Sequence, residues 1–515
     1  MATGEILLCT LNARYIHASF GLRYLKANLE EYKDRCQIVE FIIKQKPLDI
    51  VEAIVKINPK ILGFGVYIWN VEQTTTVLRI VKKLLPETVI VIGGPEVSYE
   101  YEKQEIFRLA NHLITGEGEV SFLDLCRSIL TGNPLQRKVL FGRSPDVGTM
   151  KIPYELYSDD DIANRVVYVE ASRGCPFRCQ FCLSSLDKKV RNFPLETFLQ
   201  QMDELHKRGV RHFKFVDRTF NLSVKTSKAI LQFFLDRMTP DLFVHFEMVP
   251  DRFPQALRSI VKLFPKNQMQ FEVGIQTFNP QVSARIDRRQ NVEKACENLQ
   301  FLIEETGVHV HTDLIVGLPG EDIDSFAQGF DRLIGLRVQE IQVGILKRLR
   351  GTPISRHTDT FQMVYSPNPP YEILQNADWS FEELSEMRKF ARYWDLIANS
   401  GRFVRTLPIL LSGQSPFWAF YAFSKWLYGE ANRVHSISPV RLAEYIFVYL
   451  TKVNNLSPKY VGEELYLDSC RASGKTAVPH FLRKVVVPLN LQLNRSNTNL
   501  PSRQSRHGFT ISQTS

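Results

Sequence analysis

Short apolar runs alternate with amphipathic segments along two long stretches of the chain, and this alternation restricts the fold more than any other feature. Strand and helix in strict alternation form parallel sheets with helices on both faces. The first stretch, residues 5–130, therefore predicts a doubly wound, Rossmann-like domain. Its predicted strands are 6–11, 38–43, 61–66, 89–92 and 112–115, and its predicted helices lie near 20–32, 48–57, 71–85, 102–110 and 119–131.

A second alternation begins at Val166 and continues for about 190 residues. Six successive βα units of this length predict an open, partial version of the (β/α) barrel, in which catalytic groups lie at the carboxyl ends of the strands. The predicted strands are 166–171, 212–216, 243–248, 270–275, 309–316 and 339–346, with helices such as 194–208 and 223–237 between them.

Three cysteines, Cys175, Cys179 and Cys182, directly follow the first predicted barrel strand, with the spacing Cys-x3-Cys-x2-Cys. Three thiolates on one tight loop can bind three irons of a four-iron cluster and leave the fourth iron without a protein ligand. An open metal position is where chemistry occurs. A zinc knuckle would need a fourth ligand from a second pair, but the remaining cysteines are isolated: Cys9, Cys36, Cys126, Cys296 and Cys470.

This triple, with the aromatic Phe181 just before its last cysteine, resembles the cluster motif of the radical S-adenosylmethionine (radical SAM) superfamily. The resemblance implies an enzyme whose [4Fe-4S] cluster is held by the three cysteines, with S-adenosylmethionine on the open iron. Reductive cleavage of that molecule would release a 5′-deoxyadenosyl radical. No catalytic acid or base can be assigned from the sequence, and hydrogen abstraction by a radical needs none.

The same resemblance assigns contacts with S-adenosylmethionine to Phe181 and to residues at the ends of later strands: Asp217, Glu272, Asp313 and Gly317. Gly317 opens the turn Gly-Leu-Pro-Gly-Glu321, whose glycines allow backbone to approach a ligand closely. Each assignment has a structural alternative. The glycine turn can be a simple βα connection, and Glu272 can form a buried salt bridge.

The first domain resembles the cobalamin-binding module that is fused to some radical enzymes. The match depends on Gly93-Gly94-Pro95-Glu96 and on Thr115-Gly-Glu-Gly-Glu119. It implies cobalamin bound near Asn12, Gly93, Gly94 and Glu117. The motif Asp-x-His-x-x-Gly, which supplies a histidine to cobalt in other modules, is absent, so His17 is not expected to bind cobalt. A degenerate module kept for packing or for substrate binding is the alternative.

The rest of the chain completes the expected domain organisation. Residues 378–482 read as mainly helical, with a capping box at Ser380 and Glu383. A basic turn, residues 346–354, follows the last barrel strand. Its cations Lys347, Arg348 and Arg350 either receive an anionic substrate or are solvated. The expected domains are 1–132 (cobalamin-binding-like), 133–164 (linker), 165–360 (partial barrel), 361–485 (helical) and 486–515 (a disordered basic tail).

Charge and hydropathy restrict the partners. The net charge is +9, and a good part of the excess lies near the C-terminus, so nucleic-acid binding is not expected. No apolar run is long enough to span a bilayer, and the N-terminus does not resemble a signal peptide. A cytoplasmic protein is expected, with a small-molecule or peptide substrate and a reductant such as flavodoxin or ferredoxin.

The sequence therefore predicts a radical SAM enzyme that performs cobalamin-dependent methyl transfer to an unactivated carbon. Two alternatives stay open. One is a radical rearrangement or oxidation without methyl transfer. The other is a non-enzymatic, metal-bearing protein that binds nucleic acid through its basic tail.

Overall fold

The structure is a computed structural model that describes residues 5–133, 135–488, 491–494, 500–508 and 510–513. It divides into two compact units, which are described separately. The first unit contains residues 1–217, 347–355 and 366–372, and the second contains residues 218–346, 356–365 and 373–515.

The first unit contains a parallel sheet with the strand order β2-β1-β3-β4-β5-β6. Its strands are β1 (Ile6–Asn12), β2 (Cys36–Ile42), β3 (Ile61–Gly65), β4 (Val89–Gly93), β5 (His112–Thr115) and β6 (Val139–Phe141). The helices between them are α1 (Phe20–Ala27), α2 (Pro47–Ile57), α3 (Val71–Leu84), α4 (Glu105–Leu109) and α5 (Glu119–Leu130). This is the doubly wound architecture that the apolar periodicity predicted.

Helices cover both faces of this sheet. Side chains from α2, α3 and α4 form the core on one face, and side chains from α1 and α5 form it on the other. Strand β1 is buried along its whole length, as expected for the central strand of a doubly wound sheet. The strand order reverses between β1 and β3, and ligands of doubly wound sheets bind in the crevice at such a switch point.

Strand β6 was not predicted, because it is short and lies in the segment expected to be a linker. It pairs with β5 at the edge of the sheet, from Leu113 with Val139 to Thr115 with Phe141. Three residues with polar flanks carry too little periodicity to be recognised in a sequence.

The first unit also contains the beginning of the second alternation. Its elements are α6 (Asp159–Asn164), β7 (Val167–Val169), β8 (Ser172–Arg173), β9 (Arg191–Asn192), α7 (Leu195–Lys207) and β10 (His212–Phe215). Strand β7 pairs with β10 in parallel. Strands β8 and β9 form an antiparallel hairpin that encloses the three clustered cysteines in its loop.

The second unit continues the βα alternation with parallel strands that pair in chain order from β11 to β14. Its elements are α8 (Val224–Leu235), β11 (Phe243–Met248), α9 (Gln255–Val261), β12 (Met269–Gln276), α10 (Pro280–Arg285), α11 (Val292–Glu305), β13 (His309–Val316), α12 (Ile323–Gly335) and β14 (Glu340–Ile345). The predicted fold class, a partial (β/α) barrel after a Rossmann-like domain, is confirmed.

The remainder of the second unit is mainly helical, as predicted. The capping box forms, since Ser380 and Glu383 each accept a hydrogen bond from the backbone of the other. The aromatic stretch of α15 packs on α13, where Phe390 and Phe420 have ring centroids 5.1 Å apart. The elements are β15 (Val364–Tyr365), β16 (Ile373–Gln375), α13 (Phe381–Ile397), α14 (Leu407–Leu410), α15 (Pro416–Ala431), α16 (Pro439–Val448), α17 (Pro458–Ser473), β17 (Leu491–Asn494), α18 (Ser502–Gly508) and β18 (Thr510–Gln513).

Part of the predicted disordered tail is ordered. Helix α18 lies in it, and Arg503 binds Glu340 at 2.9 Å and Asp395 at 2.6 Å. Composition alone predicts disorder here because it does not reveal partners that are more than a hundred residues away. Residues 489–490, 495–499, 509 and 514–515 of the tail lie outside the described residues. Within the part of the chain that the structure describes, no helix has the length and apolar character needed to span a membrane.

Candidate functional site

The three cysteines lie in the loop of the β8–β9 hairpin. Cys175 and Cys179 are buried, whereas Cys182 and the neighbouring Phe181 are half-buried. The backbone N–H of Cys175 donates to the carbonyl oxygen of Asp187 at 2.8 Å, and that of Cys182 donates to the carbonyl oxygen of Cys179 at 3.1 Å. The loop therefore turns tightly and returns along itself.

Glycine is required at the start of this loop. Gly174 has a φ of +90°, and a Cβ atom there would lie 2.3 Å from the carbonyl oxygen of Lys189. A side chain would therefore separate the two strands of the hairpin at the point where the cysteines begin.

Asp217 lies directly after β10 and holds the beginning of the same hairpin. Its carboxylate accepts hydrogen bonds from the backbone N–H of Ala171 at 3.0 Å and from Ser172 Oγ at 2.6 Å. Burial raises the pKa of Asp217 to about 7, and these two hydrogen bonds act against that shift. The predicted contact of Asp217 with S-adenosylmethionine stays a prediction, because both of its oxygen atoms bind the chain itself.

Two arginines of the β8–β9 hairpin, Arg173 and Arg191, bind Glu117 and Glu119 of the first domain. Arg191 binds both oxygens of Glu117 at 2.9 Å in a fork-like arrangement. Arg173 binds Glu119 at 2.7 Å, Glu170 at 2.8 Å and Glu117 at 3.2 Å. The carboxylate of Glu117, predicted from the sequence as a cobalamin contact, is therefore directed at the cluster hairpin.

A cavity of about 430 Å³ lies at the switch point of the first sheet, and its lining includes two polar residues of the loop after β1. Asn12, a predicted cobalamin residue, donates from Nδ2 to the carbonyl oxygen of His17 at 2.7 Å and to Glu40 at 3.0 Å, and so holds this loop. His17 Nδ1 lies 2.7 Å from Tyr168 Oη. Burial lowers the pKa of His17.

Aromatic residues form another wall of this cavity. Tyr67 and Trp69 stack with ring centroids 4.5 Å apart and an interplanar angle of 5°. Tyr168 and Val216 also line the cavity, from the segments of β7 and β10. The cavity therefore lies between the Rossmann-like domain and the first barrel strands within the first unit.

A narrower slot of about 200 Å³ extends over the face of the sheet that α1 and α5 cover. Gly93 and Gly94, two residues predicted to lie near cobalamin, line it. Gly94 has a φ of +112°, and a Cβ atom there would lie 2.5 Å from the carbonyl oxygen of Val66. Other glycines keep the slot open, and its lining includes Gly21, Gly63, Gly65, Gly116 and Gly118.

The remaining predicted contacts with S-adenosylmethionine lie in the second unit. Glu272 lies 3.0 Å from His245 Nε2. Asp313 lies 3.3 Å from His311 Nε2. Burial acts to lower the pKa of His311, but its hydrogen bond with Asp313 and the nearby carboxylates outweigh burial and raise that pKa to about 9. Burial raises the pKa of Asp313.

The Gly-Leu-Pro-Gly turn after β13 is held by the segment that precedes α13. Asn376 Nδ2 donates to the carbonyl oxygen of Gly317 at 3.1 Å, and the N–H of Gly320 donates to Asp378 at 2.8 Å. A Cβ atom at Gly317 would lie 2.7 Å from a methyl group of Ile373. Glycine is therefore needed here for packing as well as for the turn.

Both arginines of the basic turn after β14 have carboxylate partners. Arg348 binds Glu100 at 3.0 Å, and Arg350 binds Glu96 at 2.8 Å. The suggestion that these arginines receive an anionic substrate is therefore not supported. Sequence reasoning had no means of finding these partners, which lie about 250 residues away along the chain.

Sequence reasoning also missed Glu119, Arg173 and Arg191. Arg173 stands two residues before the first cluster cysteine, and Glu119 closes the Gly-Glu-Gly-Glu segment. Both positions lie inside the motifs that were recognised, and charged residues there were the available signal. Their pairing with one another is visible only in the folded chain.

The first unit fits the cofactors that the motifs predicted. Three thiols on one loop, two of them buried, form a donor set suited to an iron–sulfur cluster. The glycine-lined slot opens onto an apolar sheet face that a flat heterocycle can occupy, and a Cβ atom at Gly94 would have no room. The cavity at the switch point provides additional space for a larger ring system.

Comparisons with known proteins agree with a protein that combines an iron–sulfur cluster with cobalamin. Residues 169–333 match the family model of the radical SAM superfamily, residues 6–125 match that of the B12 binding domain, and residues 359–502 match a protein family of unknown function, DUF4080. An uncharacterized methyltransferase of Pyrococcus horikoshii, PH0819, is 25% identical over 328 residues, which cover 58% of this chain and 70% of that protein.

Two further proteins are similar to this chain. The cobalamin-dependent radical SAM methyltransferase TokK of Streptomyces tokunonensis is 25% identical over 341 residues, which cover 56% of this chain and 47% of TokK. The chain thus matches about half the length of TokK. The structure of TsrM from Kitasatospora setae, with cobalamin and a [4Fe-4S] cluster bound, superposes with a TM-score of 0.57 at 15% identity and covers 71% of this chain and 81% of TsrM.

The fold and the cysteine loop define a radical SAM enzyme. The family matches add that a B12 binding domain precedes the radical SAM region and that a DUF4080 region follows it. The predicted cofactors, a [4Fe-4S] cluster, S-adenosylmethionine and cobalamin, are those of these domains.

Proposed function

We propose that this enzyme transfers a methyl group to an unactivated carbon of a small-molecule or peptide substrate. The observation that carries the proposal is the placement of the cysteine loop and the switch-point cavity in one compact unit. Tyr168, which lines the cavity, belongs to β7, and the cysteine loop follows that strand within a few residues. The combination of a cysteine loop with a B12 binding domain that has a cavity at its switch point supports methyl transfer over other radical chemistry.

When bound, the cluster and S-adenosylmethionine supply the one-electron chemistry that breaks an unactivated C–H bond, and cobalamin supplies the methyl group. The residues of this chain hold and shield these groups. Cys175, Cys179 and Cys182 would bind the cluster, and Asp217 fixes the start of their loop. Burial of two of these cysteines keeps water away from the metal site.

The remaining assignments belong to the same proposal. Phe181, Asp217, Glu272, Asp313 and Gly317 stay the residues that the resemblance assigns to contacts with S-adenosylmethionine. Asn12, Gly93, Gly94 and Glu117 would shape the cobalamin site, Asn12 by holding the loop after β1. His17 is assigned no bond to cobalt, because the segment around it lacks the motif Asp-x-His-x-x-Gly.

We also propose a reducing, cytoplasmic environment and a small electron-transfer protein such as flavodoxin or ferredoxin as the reductant. An oxygen-sensitive cluster held by three thiolates fits such an environment.

The proposal is tested with protein reconstituted anaerobically with iron, sulfide and hydroxocobalamin. We expect an absorption spectrum with both cluster and corrin bands, and formation of 5′-deoxyadenosine after addition of reductant and S-adenosylmethionine. In Cys179→Ala we expect the cluster bands and 5′-deoxyadenosine to be lost, because the cluster loses one of three thiolate ligands. Cys296→Ala is the matched control, since Cys296 lies in α11 of the second unit.

The outcomes separate the possible functions. Cluster bands without corrin bands would contradict methyl transfer and leave radical chemistry of another kind. Absence of 5′-deoxyadenosine in fully reconstituted protein would contradict the proposal as a whole.

A further inference from the structure

The loop that follows β5 touches both candidate cofactor sites. Residues 116–119 all line the glycine-rich slot. The side chains of Glu117 and Glu119 extend from the same loop to the arginines of the cluster hairpin. A displacement of this loop by a molecule in the slot would therefore act directly on the hairpin that holds the cysteines.

The two arginines stand directly opposite each other on the hairpin. Arg173 of β8 pairs with Arg191 of β9, and their side chains are only 13% and 12% exposed. Like charges directly opposite on paired strands are destabilising. Without their carboxylate partners, these buried guanidinium groups would force the hairpin apart at the base of the cysteine loop.

The carboxylate partners neutralise the charges of the two arginines and also fix the orientation of their side chains. The paired hydrogen bonds between Arg191 and Glu117 fix the relative orientation of the two planar groups. Arg173 also packs over the ring of Tyr24 at 4.4 Å. Tyr24 belongs to α1, whose Leu22 and Leu25 line the slot.

We propose that Glu117 and Glu119, through Arg173 and Arg191, couple cobalamin binding in the first domain to the conformation of the cluster loop. The inference rests on the proposed cofactors. Both glutamates are positioning residues, because they act on the cysteines through the arginines. Coupling between two binding sites is reciprocal, so the cluster must raise the affinity for cobalamin by the factor by which cobalamin stabilises the cluster-bound loop.

The test measures hydroxocobalamin affinity by titration of full-length protein with and without the reconstituted cluster. For the wild-type protein we expect a ratio of the two dissociation constants of at least about 5, the lower end of typical allosteric coupling. In Glu117→Gln we expect this ratio to approach one, since the amide loses one hydrogen bond to Arg191 and turns a donor toward it. The quantity compared between variants is the ratio of the two dissociation constants, and not the affinity in either state alone.

Two further variants test whether the effect is specific to the carboxylates that bind the hairpin arginines. Glu119→Gln removes the negative charge that pairs with Arg173 and leaves the partners of Arg191 unchanged. We expect it to lower the ratio of the two dissociation constants by a smaller factor than Glu117→Gln does. Glu105→Gln removes a carboxylate from the exposed ion pair with Arg79 in the same domain and is expected to keep the wild-type ratio. The electron paramagnetic resonance spectrum of the reduced cluster is expected to change on cobalamin addition in the wild-type protein but not in Glu117→Gln.

The results distinguish failure of the coupling from failure of the proposed function. Equal affinities with and without the cluster in the wild-type protein, or an unchanged ratio in Glu117→Gln, would overturn the coupling alone. If the wild-type protein binds no cobalamin in either state, the cofactor assignment is wrong and the coupling falls with it.

Discussion

Glu321 is a buried carboxyl group at the end of the Gly-Leu-Pro-Gly turn, with only 2% of its surface exposed. Thr277 donates its hydroxyl hydrogen to it. Burial raises the pKa of Glu321 to about 7. In the folded protein this group therefore keeps its proton up to near-neutral pH, while in the unfolded chain it loses the proton near its ordinary pKa of 4.5.

The sign of the pH effect follows from this difference. Between pH 4.5 and about 7 the folded state holds more protons than the unfolded state, so the contribution of Glu321 to the free energy of unfolding falls as the pH rises. Glu321→Gln removes this loss and keeps a hydrogen-bond acceptor for Thr277. We expect Glu321→Gln to gain stability over wild type between pH 5 and pH 8, by on the order of 3 kcal/mol.

Urea unfolding at the two pH values measures this gain. Glu297→Gln, which removes an exposed carboxylate from α11, is the control and is expected to show no such gain. An equal difference between Glu321→Gln and wild type at both pH values would show that Glu321 does not titrate in this range.

At the scale of elements, strand β3 forms the floor of the glycine-lined slot. A Cβ atom at Gly65 would make only ordinary contacts, at 3.5 Å, with Thr10 and Tyr67. Alanine is therefore tolerated at this position, but a larger side chain would extend into the slot. We expect Gly65→Ala to bind hydroxocobalamin within about twofold of wild type, and Gly65→Leu to bind it at least about tenfold more weakly, a loss of about 1.4 kcal/mol.

Equilibrium titration and circular dichroism measure binding and folding separately. Wild-type affinity in a folded Gly65→Leu protein would mean that cobalamin does not use the slot. Loss of affinity in Gly65→Ala as well would mean that β3 itself, and not the space above it, is the sensitive element.

At the scale of the whole molecule, the last described helix stabilises the start of a barrel strand far back in the chain. Glu340, at the beginning of β14, is 2% exposed and accepts hydrogen bonds from His309 at 2.8 Å and from Arg503 at 2.9 Å. Burial acts to raise the pKa of Glu340, but His309, His311 and Arg503 outweigh burial and lower it to about 2. The carboxylate therefore stays charged, and the stability of the fold depends on the cationic partners that compensate this buried charge.

We expect Arg503→Gln to lower the free energy of unfolding by about 1–2 kcal/mol, because a buried carboxylate loses one of its partners while the arginine itself is partly exposed. Arg289→Gln is the control, since the side chain of Arg289 is 87% exposed in its ion pair with Asp287. Chemical denaturation of both variants measures the difference. Equal stability of the two variants would show that the tail helix contributes nothing to the barrel.

Local periodicity was sufficient to predict most of the strands and helices. The barrel strands 243–248 and 309–316 have the predicted limits, because each is a short segment rich in apolar residues. Strand β6 was not predicted because it is too short to show a periodicity, and helix α18 was not predicted because its order depends on distant partners. The spacing of the cysteines and their resemblance to a family motif were sufficient to propose them as cluster ligands. The pairing of Arg173 with Glu119, in contrast, depends on how separate segments of the chain fold together.

The segment after β14 has a consequence for engineering. Glu96 is 4% exposed, and its carboxylate accepts hydrogen bonds from Arg350 at 2.8 Å and from Tyr371 at 2.6 Å. A recombinant fragment that stops at residue 132 would leave this carboxylate without either partner. Chimeras that exchange the first domain between relatives must therefore also carry residues 347–355 and 366–372. The structural unit to which this domain belongs is discontinuous in the sequence.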